Sequence, residues 1–598
     1  MKTLPSTDVL IIGGGWTGLL MAKELSARTP VSIVVLERGR DRRPDYISGM
    51  DELDFFVRMH MMQDPSRETP TLRHNDNERA LPIRQYGAFL PGSGVGGTGE
   101  HWGAVYPRLL PDCFELHSQT VARYGEKKLP QDQSMQDWGV TYDEMEPYYA
   151  RSEREVGVSG KAGNLKGKKI EGGNIFEGWR SEEYPMPPTI TPYLSELFRG
   201  AAKSLGYHPY NNATAVTSQD YTNPDGVTRP ACAVCGFCER TPCMIGAKAQ
   251  PTTVLMPVLQ KRKSVTLRTS ATVRRIVHDT SHDTSHDTPH DPAQKGGKAR
   301  GVTYIDESGE EVFQPADLVI LSSYTLSNNH LLFLSGIGTP YDPATGKGTL
   351  GKNLTHQVAF GVQAFLPKPL NKFMGAGGTG VRIADFDADV FDHSNLPFIR
   401  GGMIGAMSVG TQPLSTFGNV PRSMKLPRWG AEWKKAAIDY FDRTGVVSFS
   451  GEQIPYKGNH FDLDPTYKNP LGDPLLRMTV NWRENERKMV EFMNEKMVEL
   501  GHAMGAKEVT PFPGYADYDV TRYQSTHIQG GTMMATSPDR GVVNTYTQHW
   551  DISNLFVLGA STFPNSGSSN PTPTILALTY RTADAIVEKY LKKPGMLA

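Results

Sequence analysis

At 598 residues the chain exceeds what one hydrophobic core sustains, so two or more closely connected domains are expected. Its 63 Lys and Arg against 64 Asp and Glu leave a formal net charge of -1, which gives no electrostatic reason to expect nucleic acid or an anionic membrane as partner. No run approaches the roughly 18 consecutive apolar residues of a membrane-spanning helix, so no direct membrane span is expected. The 5 cysteines are not spaced as a disulfide framework.

The chain opens Met-Lys-Thr-Leu-Pro-Ser-Thr-Asp, and its first apolar run, Val9 to Ile12, leads straight into glycines without a small-residue cleavage site. No secretory signal is read there. Asp8 to Ile12 predicts a short buried strand, Gly13-Gly14-Gly15-Trp16-Thr17-Gly18 a tight turn, Leu19 to Ser26 an amphipathic helix, and Val31 to Leu36 a second strand ending at Glu37. Strand, glycines, helix, strand and acid in that order fit the dinucleotide fingerprint. Gly13, Gly15 and Gly18 allow the turn, the approach of a pyrophosphate and close helix packing, and Glu37 can accept ribose hydroxyls. The competing reading is a glycine-rich turn with no ligand. Residues 91–103 form a second glycine-dense loop, with Gly94 and Gly97 placed to lie against a flat or phosphorylated ligand; alone, such a loop reads equally as flexible.

Four cysteines then fall together in Cys232-Ala-Val-Cys235-Gly-Phe-Cys238-Glu-Arg-Thr-Pro-Cys243. The spacing C-x2-C-x2-C-x4-C gathers thiolates on a short irregular loop, as iron–sulfur ligation requires. A structural zinc site and thiols packed as small hydrophobes are the rival readings. Glu239 follows Cys238, so no c-type haem motif is present, and Cys113 stands apart as a structural thiol. Further on, Val265 to Thr269 and Gly301 to Ile305 read as strands flanking a repetitive His-Asp insert, His278 to Asp291, which reads as a solvated hairpin tip. A buried strand is predicted from Leu318, a helix over Leu331 to Gly338, a sheet-rich lobe from about 352 to 515 with a helix near Arg483 to Leu500, a strand at Asn554 and a last helix over Thr574 to Lys589. Within the lobe, Glu452, Gln453 and His460 read as a solvated loop.

At the fingerprint, Leu334-Ser-Gly-Ile-Gly338, His527-Ile-Gln-Gly530-Gly-Thr532 and Asn554 to Leu578, the sequence resembles the glucose/methanol/choline (GMC) family of flavin oxidoreductases. Arg84 to Gly92, Gly94 to Trp102, the cysteine run with Gly246-Ala-Lys248-Ala, and Arg581 to Tyr590 are similar to its branch of gluconate 2-dehydrogenase large subunits and iron–sulfur sugar dehydrogenases. The resemblance implies an α/β fold. A doubly wound FAD-binding domain would be built from residues 1–135, 230–350 and 520–598, carrying the iron–sulfur loop 232–243. A sheet-rich substrate domain would come from residues 136–229 and 351–519.

Oxidising an alcohol by hydride transfer to flavin needs a base for the hydroxyl proton and a group that fixes the oxygen. On residue type alone His527 reads as a hydrogen-bonded core histidine; the resemblance places it at the family's active-site histidine and Asn570 at the neighbouring His-or-Asn position. It also places Gly559, Ala560 and Thr572 at the flavin, with Gly559-Ala560 standing where many members carry an acidic residue. His101, in Gly99-Glu100-His101-Trp102, resembles the histidine that carries flavin through an 8α-histidyl bond. Related sugar dehydrogenases hold a 3Fe-4S cluster at the cysteine run, here favoured over 4Fe-4S, with Cys238 and Cys243 as the best-aligned ligands and Cys232 or Cys235 beside them. The implied enzyme oxidises a secondary alcohol of a sugar or sugar acid and passes electrons through the cluster to a cytochrome c. A small subunit would carry the export signal and make the complex periplasmic and membrane-associated, with a cytoplasmic location as the alternative. A glucoside 3-dehydrogenase, an oxygen-using pyranose oxidase and a non-catalytic flavin or cluster scaffold are the other readings.

Overall fold

The computed structural model describes the chain apart from residues 44–52, 54–60, 67, 85–90, 239–240, 280–296, 376–377, 408–416, 513–516, 520–526 and 598. Most of the His-Asp insert, most of the Arg84 to Gly92 stretch, and Glu239 lie outside the described residues.

Three larger sheets organise the molecule. In the first, of eight strands, Thr7–Ile12 lies between Ile33–Leu36 and Glu311–Leu321 and runs parallel to both, with Leu555–Val557 parallel to the far side of Glu311–Leu321 and Val265–Arg268 beyond Ile33–Leu36. The unbroken apolar run at 9–12 is explained by burial on both faces, the rule for parallel strands covered by helices. Val9 and Ile11 pack with Leu19 and Leu20 of the Trp16–Arg28 helix, while Leu10 and Ile12 pack with Leu331, Leu332, Ala577 and Leu578 on the other side. Gly18 makes that packing possible, since a Cβ there would stand 2.0 Å from the carbonyl oxygen of Gly13. Glu311–Leu321 changes partner along its length, beginning antiparallel to Ala299–Ile305 and ending in the parallel sheet.

The second sheet joins Ile528–Gly531, Lys352–His356, His460–Lys468 and Pro474–Thr479 with the short strands Thr71–Arg73 and Leu81–Pro82. The third runs Glu508–Pro511, Val358–Phe365, Thr444–Gly451, Gly402–Met407, Gly380–Ile383, Tyr210–Asn211. One of its faces is closed by the Glu484–Ala503 helix through Met489, Met493, Met497 and Leu500, spaced as one helical stripe. A single residue, Gln357, separates the strands that belong to the second and third sheets. The architecture is the α/β arrangement expected, a doubly wound sheet joined to a sheet-rich half. The expectation of a solvated loop at Glu452, Gln453 and His460 is overturned, for all three are buried. Glu452 is ion-paired to Arg400 at 2.9 Å, and Gln453 Oε1 accepts the His356 N–H at 2.8 Å.

Candidate active site

A cavity of about 760 Å³ is lined by Gly13, Gly15, Trp16 and Glu37, by Gly97, His101 and Trp102, by Gly559, Ala560 and Thr572, and by His527 and Asn570. Gly18 and Gly94 act behind this wall rather than on it. At Gly13, φ is +107° and a Cβ would fall 2.4 Å from the Ser322 carbonyl oxygen. Gly15 differs: among the described residues a Cβ there would meet only the Gly96 carbonyl at 3.9 Å, and its flank lines the cavity. The Glu37 carboxylate accepts N–H groups from Gly14 at 2.9 Å, Gly39 at 2.8 Å and Gly94 at 3.2 Å, tying the two glycine loops to the end of their strand. Burial raises its pKa against the opposing pull of those N–H groups.

At the other functional pair the geometry fixes a protonation state. Gln357 Nε2 donates to the carbonyls of Ser566, Gly567 and Ser569 at 3.3, 2.7 and 2.6 Å, which leaves Oε1 pointing at His527. An amide oxygen only accepts, so His527 Nδ1, 2.6 Å away, carries the proton. Nε2 is then the acceptor, and Asn570 Nδ2 stands 3.1 Å from it. Burial, with His356 and Arg382 adding to it, pushes the His527 pKa down to about 3. The ring is therefore a neutral imidazole whose Nε2 accepts from the Asn570 amide, both side chains lining the cavity. The loop 566–570 that presents Asn570 leads into the Thr572–Ala585 helix and is held by Gln357 and by Ser450, whose Oγ donates to Ser568 O at 3.1 Å.

The cysteines sit on a loop stitched to the His101 segment. The Lys248 ammonium is buried within hydrogen-bond reach of the carbonyls of Glu100 (3.2 Å), Trp102 (3.0 Å), Cys238 (2.8 Å) and Thr241 (2.7 Å). A second link runs from Glu100 Oε2 to Gln250 Nε2 at 2.6 Å, whose Oε1 accepts the Cys243 N–H at 2.6 Å. Burial raises the Cys232 pKa, and Cys243 and Cys235 lie near enough to raise it further. Among the described residues, however, no three of His, Cys, Asp or Glu are drawn together as a metal site. Phe237, Met244 and Ile245 of this loop are exposed, as are Phe373 and Met374 beside it. Gly236 meets that neighbouring segment, since a Cβ there would stand 2.8 Å from Phe373 O. Cys113 is buried, with Arg400 Nη2 donating to its sulfur at 3.4 Å.

Residues 188–359 and 455–579 match the GMC oxidoreductase family. The gluconate 2-dehydrogenase flavoprotein of Pantoea cypripedii is 41% identical over 99% of this chain and 95% of its own length. The chain belongs to the GMC oxidoreductase family. The fructose dehydrogenase large subunit of Gluconobacter japonicus, another relative, is 27% identical over 97% of the chain and 98% of that protein. Among solved structures, formate oxidase of Aspergillus oryzae RIB40 superposes with a TM-score of 0.60 at 15% identity, covering 99% of both chains, a likeness of fold.

This GMC oxidoreductase is an FAD-dependent, alcohol-oxidising enzyme. Its residues fit the cofactor: the Gly15 flank is open, the indole N–H of Trp16 is buried on the cavity wall with no hydrogen-bond partner among the described residues, and the Glu37 carboxylate lines the same space. His101 stands on that wall at the end of the Gly97–Glu100 turn. Sequence reasoning missed three residues of this GMC site. Gln357 carries no motif and is marked only as the polar break between two strands. Lys248 stood inside a recognised stretch as a lone cation among small residues. Arg382 lines the cavity from the third sheet, and nothing adjacent in sequence points to it.

Proposed function

We propose that this enzyme oxidises the secondary alcohol of a sugar acid, gluconate at C2 foremost, and exports the electrons through the cysteine loop to a partner protein. The observation that carries the alcohol chemistry is the locked tautomer of His527, with Nε2 beside Asn570 in the cavity that also holds the fingerprint glycines. The substrate hydroxyl would replace the Asn570 N–H at His527 Nε2, which takes its proton, and the released Asn570 amide donates to the substrate oxygen and holds it as the carbonyl forms. Bound FAD supplies the hydride acceptor for the C–H bond. The substrate choice follows the 41% identical gluconate 2-dehydrogenase flavoprotein, in preference to the more distant fructose relative. Anaerobic addition of D-gluconate to the flavin-loaded protein is expected to bleach the flavin and yield the 2-keto acid. Bleaching by alkyl-β-glucosides with a 3-keto product, and none by gluconate, would overturn the substrate.

For the exit route we infer an iron–sulfur cluster, three-iron in preference to four-iron, on Cys238 and Cys243 with Cys232 or Cys235. Its support is the C-x2-C-x2-C-x4-C spacing, the Lys248 and Gln250 links to the His101 segment, and the exposed apolar side chains around the loop. The sulfurs would have to close in from their present positions to bind it. Electron paramagnetic resonance of the isolated protein should show the oxidised three-iron signal; a silent sample with stoichiometric zinc would refute the cluster. An oxidase would instead generate peroxide in air. His101 is the proposed flavin attachment, so acid-precipitated protein should keep its yellow colour. A small subunit that carries the export signal and a cytochrome c acceptor, in the periplasm and at the membrane, complete the proposal. The relative from Gluconobacter japonicus is a large subunit, and among the described residues no helix is long and apolar enough to cross a membrane.

A further inference from the structure

The third sheet has two unlike faces. One is apolar, with Phe360, Val362, Val447 and Phe449 in the core against the methionines of the Glu484–Ala503 helix. The register places a different set on the other face. Arg382 is opposite Gly405, Gly405 opposite Ser448 and Ser448 opposite Gly361, with Ser450 and Gln363 two residues along on the same side. Arg382, Ser448, Ser450 and Gln363 all line the cavity that holds His527 and Asn570. Glycine at 405 makes room for the arginine stem, since a Cβ there would come within 2.6 Å of Arg382 Cγ.

Arg382 is 6% exposed, and its Nη1 is 3.9 Å from Met403 Sδ. Arg382 and His527 line the same cavity, and the buried cation adds to the lowering of the His527 pKa. The titratable groups that act on it are Tyr210 and Asp387, both buried. Burial lowers the guanidinium pKa against the opposing pull of those two groups. A guanidinium fork matches a carboxylate in two parallel hydrogen bonds. In a 2-hydroxy acid the carboxylate is bonded directly to the carbon that is oxidised, so a cation for the first must neighbour the base for the second.

We propose that Arg382 binds the C1 carboxylate of an aldonate while its C2 hydroxyl lies at His527 and Asn570, and that Ser448, Ser450 and Gln363 hydrogen-bond the remaining hydroxyls. The proposal rests on the alcohol-oxidising reading above and adds the feature that separates acids from neutral sugars. The serine hydroxyls keep acceptor capacity for this, because Ser450 Oγ donates to Ser568 O and Ser448 Oγ reaches Gly405 O at 3.4 Å.

D-Gluconate and D-glucitol share a carbon skeleton and differ at C1 in carboxylate against neutral alcohol, so the pair isolates the interaction. Anaerobic dye-linked kinetics of the wild-type holoenzyme should favour gluconate by about 100-fold or more in kcat/KM, the range expected for a matched buried charge. Arg382→Gln should cut the gluconate value about 100-fold, mainly through KM, and the glucitol value at least tenfold less; Arg382→Lys should recover part of the loss. Equal losses on both substrates, or a wild type that does not distinguish them, overturn the carboxylate assignment while leaving the dehydrogenase reading standing. Dye reduction with neither substrate overturns the dehydrogenase reading itself. Should the variants fail to fold, malonate decides on wild-type enzyme: competition against gluconate supports the site and its absence removes it.

Discussion

Replacing Gln357 by leucine tests whether a side chain that touches no substrate sets the chemistry. The substitution removes the acceptor 2.6 Å from His527 Nδ1 and the donor to three carbonyls at 566, 567 and 569. A neutral hydrogen bond is worth about 1 kcal/mol net, so losing the lock on the imidazole tautomer costs roughly a factor of five to ten in the competent form. Loosening the 566–569 loop also misplaces Asn570, for roughly another tenfold. Together the rate of flavin reduction should fall about 100-fold, near 2.7 kcal/mol in activation free energy, with a smaller change in KM. Stopped-flow bleaching of the bound flavin under anaerobic conditions reads this rate directly. Gln357→Glu supplies the contrast: it keeps an acceptor for Nδ1–H but turns an oxygen toward three carbonyl oxygens, so it should lose stability more than rate. A folded Gln357→Leu enzyme within about threefold of wild type would refute the tautomer lock.

Gly15→Ala should leave the fold intact yet weaken FAD binding at least tenfold by fluorescence titration, because its Cβ would meet only a carbonyl at 3.9 Å; Gly18→Ala, with its Cβ 2.0 Å from Gly13 O, should fail to fold stably. Burial holds His527 near pKa 3 and His549 near 4, below the roughly 6.5 of the unfolded chain, so the unfolded state binds more protons in between. Their contribution to stability is present above about pH 6.5 and is lost as pH falls, by about 1.4 kcal/mol per unit for each. Urea unfolding at pH 7 and pH 5 should show the decline, and His527→Gln should shrink it; an unchanged decline refutes the assignment. Lys248→Met leaves four carbonyls without their shared ammonium and should lower both the melting temperature and the bound iron per chain; iron content equal to wild type contradicts the clamp.

The Trp16–Arg28 unit was legible because local chemistry dictates it. An apolar run buried on both sides, glycines at a turn and an acid ending the next strand need no distant partner to be recognised. The helix near Arg483 to Leu500 was legible in the same way, whereas its methionine stripe is identified from what it packs against. The proposed base and its orienting amide were not both legible, for His527 and Gln357 are 170 residues apart and meet because Ile528 pairs with His356 across two strands. Glu452 and Gln453 were misread for a related reason: the charge of Glu452 is compensated by Arg400, 52 positions earlier, so a polar pair among glycines is core rather than loop. Arg382 shows the limit most clearly, since its meaning lies in cross-strand register with Gly405 and Ser448, which composition does not report.

His527 is proposed above as the base of an FAD-dependent oxidation of a sugar acid. Anaerobic single-turnover mixing of D-gluconate with flavin-loaded wild type and His527→Ala tests it most directly. Rapid bleaching and a 2-keto product are expected for wild type, and bleaching slower by about 10²- to 10⁴-fold for the variant. A wild-type flavin that gluconate leaves oxidised, or a variant that bleaches within about threefold of wild type, would contradict it.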